Sequence, residues 1–139
     1  MFLDTNVDER ITRWREFRNT LESCNDPFEK TLEFWQQAPV TEKHLNQYHS
    51  QEWPTPWELL KENRYCPVAI PLMIGWTLKL TTKFTKVPVL IKISIDHKTK
   101  RYYNLVEVEN TIINYENNSI CISSELPDNV VCQEAVELS

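Results

Sequence analysis

A chain of 139 residues, 41% hydrophobic and 25% charged, can build one domain with its own core and lies far from the composition of disordered chains. Its single glycine argues against a phosphate-cradling loop, which needs glycine for close backbone approach. A net charge of −5 argues against a nucleic-acid partner, whose phosphates call for a net basic field.

The first residues, Met1-Phe2-Leu3-Asp4, show no basic segment followed by an apolar run, which predicts a protein that is not secreted. Asp8 to Glu22 reads as a helix, with Ile11, Trp14, Phe17 and Leu21 recurring at three- and four-residue steps. Asp26-Pro27-Phe28-Glu29 signals a second helix start: Asp26 caps, Pro27 takes the first helical position and Glu29 reaches back. This helix buries Phe28, Leu32 and Trp35, and Pro39 ends it. Residues 40–53 are polar and read as a long surface connection. Thr55-Pro56-Trp57-Glu58 repeats the capping pattern and opens a short helix to about Asn63. A further apolar helix lies between Pro67 and Phe84. Pro71 has no amide hydrogen, so that helix either begins near Pro71 or has a distorted first turn. Its apolar stretch, Val68 to Leu78, is too short to span a bilayer.

After Pro88 the periodicity becomes two. Val89, Ile91, Ile93 and Ile95 share one face, toward the helices, while Lys92, Ser94 and Asp96 point the other way. His97-Lys98-Thr99-Lys100 turns the chain into a returning strand, Arg101 to Glu109. A tight turn at Glu109-Asn110 leads to Thr111–Tyr115, and Asn117-Asn118 turns again into Ile120–Ser124. A short further strand around Val130–Cys132 is compatible with the last segment. The prediction is one soluble, intracellular α+β domain over residues 1–139, with N-terminal helices packed on a small antiparallel meander.

Few residues suggest chemistry. His44, His49 and His97 have no cysteine beside them, so no metal site is predicted, and no cofactor. Cys24, Cys66, Cys121 and Cys132 are scattered without CxxC spacing and read as reduced thiols. Asn117-Asn118-Ser119 spells a glycosylation acceptor, but without secretion it reads as a turn. Residues 79–101 hold seven basic side chains against Asp96 alone, and residues 102–139 hold none. Lys79, Lys83 and Lys86 are therefore candidates for contact with an anionic partner. Tyr48 and Trp53 are candidates for an exposed aromatic contact, whereas Trp53, Trp57 and Trp76 together read more readily as packing on one another and on the sheet.

Cys66 lies at the start of the most apolar helix, where the positive end of the helix dipole favours thiolate. Its neighbours Val68, Ile70 and Leu72 argue the opposite, because an apolar setting raises a thiol's pKa. A cysteine at a helix start followed by antiparallel strands resembles the transglutaminase-like branch of cysteine-protease folds. There the strand after the helix reads His-Ala-Trp-Val-Glu-Val, followed by a turn and an aspartate. Tyr103-Asn104-Leu105-Val106-Glu107-Val108 resembles that strand, Glu109-Asn110 the turn, and Asn114 the aspartate position. The resemblance spans residues 66–115. It implies an incomplete catalytic set, because Tyr103 replaces the histidine and Asn114 the aspartate, and hence a scaffold or pseudoenzyme.

A second resemblance rests on Asp26-Pro27-Phe28-Glu29-Lys30-Thr31-Leu32-Glu33-Phe34-Trp35, Trp53-Pro54-Thr55-Pro56-Trp57-Glu58-Leu59-Leu60 and Glu62-Asn63-Arg64-Tyr65-Cys66. Together these runs resemble small proteins of tailed bacteriophages of the myovirus type, over about residues 26–80. That resemblance implies location in the host cytoplasm or the virion and a protein partner from phage or host. The expected function is that of a non-enzymatic structural or accessory protein acting through protein–protein contacts. The alternative is a transglutaminase-like or peptidase-like enzyme using Cys66.

Overall fold

In the computed structural model, which describes residues 1–116 and 119–139, four helices in the N-terminal half precede a five-stranded antiparallel sheet. This is the α+β arrangement that the sequence predicts. The turn expected at Asn117-Asn118, and with it the acceptor-like triplet, lies outside the described residues.

Three- and four-residue spacing turns α1 (Val7–Leu21) toward the core through Trp14 and Leu21, with Ile11 and Phe17 partly covered. Asn6 caps it, its side-chain oxygen accepting from the Glu9 amide at 2.9 Å. Helix α2 (Pro27–Trp35) starts at Pro27, but Asp26 does not cap it through its side chain. The Asp26 carboxylate instead accepts from the Cys24 thiol at 3.0 Å, upstream of the helix. Helix α3 (Pro56–Glu62) has the reciprocal box of Thr55 and Glu58, and it ends on Asn63 in the left-handed region with φ 53°.

Helix α4 (Ala69–Lys79) carries Pro71 in its first turn, where an amide hydrogen has no intrahelical partner. The Ile70 amide bonds to the Cys66 carbonyl and the Leu72 amide to the Val68 carbonyl, so the helix runs through. The carbonyl four residues before the proline, that of Pro67, accepts the Asn104 side-chain amide at 3.4 Å. One residue joins three helices. Thr77 Oγ1 accepts the indole N–H groups of Trp14 and Trp35, each at 2.9 Å, and donates to the Met73 carbonyl. Both indoles are fully buried. Arg10 is buried as well. Its guanidinium donates to the Leu60 and Lys61 carbonyls, which end α3 without helical partners.

The strands are β1 (Val89–Asp96), β2 (Tyr102–Val108), β3 (Thr111–Tyr115), β4 (Ser119–Ile122) and β5 (Val130–Glu137), in the spatial order β4-β3-β2-β1-β5. Val89, Ile91 and Ile93 are buried toward the helices as predicted, with Ile95 partly covered. Glu109 and Asn110 both have positive φ, 50° and 66°, the backbone of a tight hairpin turn. A further expectation is corrected. The last segment forms an eight-residue strand, longer than Val130–Cys132, and it passes the meander to pair with β1. Its final turn of chain buries Leu138, whose Cδ1 lies where a Cβ on Gly75 would come within 2.6 Å. That close approach is what the one glycine permits. On the second face of the sheet Ser94 and Asp96 are buried. Asp96 Oδ1 accepts from Asn129 Nδ2 at 2.7 Å and from the amides of Lys98 and Thr99. A small cluster of Tyr103, Leu105 and Ile112 packs on the same side.

Candidate functional site

An open groove of about 380 Å³ runs between the start of α3, the C-terminal part of α4 and the end of β5. Trp53, Trp57, Trp76 and Leu80 form its apolar wall, and Val136 and Glu137 belong to its strand side. Local sequence explains these positions. The capping box sets the entry to α3 and so places Trp57 in the first helical turn. Trp76 and Leu80 are four residues apart and share one helix face. The Trp53 indole N–H bonds to the Asn46 carbonyl at 2.8 Å, which ties the ring to the 40–53 connection.

The three tryptophans thus line an opening, where the sequence predicts mutual packing. Trp57 makes its edge contact with Trp14, at 5.2 Å between ring centroids, and remains 44% exposed. Leu80 is 38% exposed. Tryptophan held in a partly open groove is among the residue types that dominate protein contacts.

The groove continues into the outer edge of β5. Leu138 donates its amide to the Val89 carbonyl at 2.9 Å. By antiparallel alternation the main-chain groups of Glu134 and Val136 then face β1, and those of Ala135 and Glu137 face outward. Among the described residues no strand pairs with that outer side. Natural edges are often blunted by lysine or proline, and Val130–Glu137 contains neither, its own protection being two glutamates and the register shift opposite Ile93 and Ser94. Tyr48, singled out from the sequence, flanks the same strand. Its hydroxyl donates to Gln133 Oε1 at 3.0 Å, and its ring meets Tyr102 edge-on. Tyr48 and Trp53 therefore both border β5, although at different points along it. Spacing along α4 could have paired Trp76 with Leu80. The contribution of β5 has no such local signal, because it depends on which strand β5 joins.

The basic candidates lie elsewhere. Lys79 Nζ donates to the Val87 carbonyl at 3.0 Å, Lys83 Nζ to the Cys24 carbonyl at 3.1 Å, and Lys86 is exposed. None of the three lines the groove. Farther along the basic band, Lys92 pairs with Glu107 at 3.1 Å and Arg101 with Glu116 at 3.5 Å. Four of the seven basic side chains of the band, Lys79, Lys83, Lys92 and Arg101, are thus bonded within the protein.

Cys66, Tyr103 and Asn114 are not assembled into a catalytic set. Cys66 is fully buried among core residues. Burial pushes its thiol up, but the backbone amides of His44, Ala69, Leu45 and Val68 favour thiolate and bring it below its ordinary value. That direction reverses the one expected from the apolar neighbours. Tyr103 belongs to the cluster on the far face of the sheet. Burial, and then its hydrogen bond to the Glu116 carboxylate, push its hydroxyl up to about 12. Asn114 serves the sheet instead. Its side-chain oxygen accepts the Val106 amide and its nitrogen donates to the Asn104 carbonyl, both at 2.8 Å. It thus bonds strand β2 where the regular β2–β3 ladder has ended at Glu107 and Ile112. The His44 ring approaches the Glu42 carbonyl, His49 pairs with Glu52, and His97 is exposed in the β1–β2 turn.

A second cleft, of about 520 Å³, is lined by Trp35, Val40, Pro67, Ile70 and Asn114 among others. Its asparagine is already committed to β2. Among the described residues no group of three His, Cys, Asp or Glu side chains could hold a metal ion, and no helix is long and apolar enough to cross a membrane. Neither a protein-family model nor a curated protein sequence matches the chain.

Proposed function

We propose that this protein is a non-enzymatic phage component, either part of the virion or an accessory factor in the host cytoplasm, that works through protein–protein contacts at the tryptophan-lined groove. The phage assignment rests on the resemblance of residues 26–80. The observation that carries the contact reading is the exposure of Trp57 and Leu80 in a groove walled by Trp53 and Trp76. Tryptophan fixed by surrounding structure offers large contact area at little entropic cost.

Cross-linking and affinity capture from infected cells test this reading. A partner captured by the wild-type protein should be lost with Trp57→Ala and kept with Lys86→Ala. Equal recovery with a folded Trp57→Ala protein would remove the groove from the function.

Cysteine chemistry at Cys66 remains the second reading, favoured by one observation: four backbone amides around the sulfur stabilise a thiolate. It requires a base beside the sulfur, and all three histidines are exposed at the surface.

A further inference from the structure

The outer edge of β5 and the groove form one continuous surface. Ala135 and Glu137 turn their main-chain groups outward, and Val136 and Glu137 line the groove. A strand laid along that edge would satisfy the free amides and carbonyls, and its alternate side chains would point toward the helix side where the tryptophans stand.

Charge selects the occupant. Glu134 and Glu137 are exposed on β5, and Glu52 is exposed on the 3₁₀ turn Ser50–Glu52, whose first residue lines the groove. No Lys or Arg follows Arg101 in the chain. Tryptophan faces add attraction for a cation. A second copy of this chain fits poorly, because its own β5 carries no Lys or Arg and would add two more exposed glutamates to an edge that already has Glu134 and Glu137.

We propose that the partner presents an extended segment carrying Lys or Arg, which adds to β5 as a sixth strand and places a basic side chain among Trp53, Trp57 and Trp76. This proposal rests on the groove being the contact surface and specifies the chemistry of what binds there.

The probe is an acetylated, amidated Lys–Val alternating peptide of eight residues, matching the eight of β5, compared with its Glu–Val counterpart. Tryptophan fluorescence follows binding to the full chain, and amide exchange follows protection along residues 130–137. The Lys–Val peptide should bind and protect outward amides such as Ala135, and raising salt from roughly 50 to roughly 300 mM should weaken it about tenfold. Ala135→Pro removes an outward donor without touching the β1 ladder and should weaken binding by about tenfold or more. Should that variant unfold, Glu134→Gln with Glu137→Gln, both on the surface, should still reduce the affinity and its salt dependence. Equal binding of the Glu–Val peptide, or unchanged binding by both variants, overturns the proposal. If Trp57→Ala still abolishes capture of the cellular partner in that case, the groove reading stands without the added strand. A dimer that Ala135→Pro dissociates, with no peptide binding, also overturns the proposal, in favour of self-pairing.

Discussion

Replacing Thr77 with Val tests the packing that joins α1, α2 and α4. The two side chains have nearly the same shape, so no cavity forms, but the acceptor for two indole N–H groups disappears. Trp14 and Trp35 are both 0% exposed, which leaves no water to replace the 2.9 Å bonds. Stranding one buried donor costs about 1–3 kcal/mol, so two cost about 2–6 kcal/mol. Exchanging the hydroxyl for a buried methyl returns roughly 1 kcal/mol, for a net loss of about 1–5 kcal/mol with a centre at ~3 kcal/mol. Thr77→Ser keeps the acceptor and loses only the methyl, about 1 kcal/mol. In urea, with a slope of about 2 kcal/mol per molar, the midpoint should fall by roughly 1.5 M for Val, at the centre of that range, and by roughly 0.5 M for Ser. Circular dichroism and tryptophan fluorescence should report the same transition. Equal midpoints for the two variants would refute the argument, because the shared acceptor would then contribute nothing.

Ile93→Ala should destabilise by about 2–5 kcal/mol, since Ile93 is fully buried. Lys92→Ala should cost about 1 kcal/mol, because Glu107 keeps its bond from Ser123; similar losses at both positions in chemical denaturation would refute the register. Asp96 is held below the ordinary carboxylate range, first by Asn129 and then by the amides of Lys98 and Thr99. Its contribution is complete above the unfolded value near 3.8 and is lost as pH falls through the lower folded value. Asp96→Asn should therefore flatten the acid limb of the stability curve, and an unchanged limb would contradict the assignment. Native Cys66, buried despite its lowered pKa, should react with iodoacetamide more slowly than exposed Cys132 at neutral pH. Selective fast labelling of Cys66, monitored by mass spectrometry, would place the enzyme reading first.

Short-range signals in the sequence determined much of the secondary structure. Thr55-Pro56-Trp57-Glu58 specifies a helix start because the side chains that satisfy its amides are three residues apart. Val89 to Ile95 specifies a strand because alternation alone separates its two faces. The Cys24 thiol overrode a similar local signal at Asp26. Tertiary structure decided the features on which function depends. Residues 127–139 show no strong period, and β5 forms because the outer side of β1 was open and Leu138 could seat against Gly75. Thr77 looks like a break in an apolar helix until Trp14 and Trp35 arrive from two other helices. Asn114 resembles a catalytic position along the chain, yet in three dimensions it bonds the backbone of β2. Trp57 reads as core by its type and is 44% exposed. Periodicity records which residues share a face; whether that face is covered depends on the elements that pack against it.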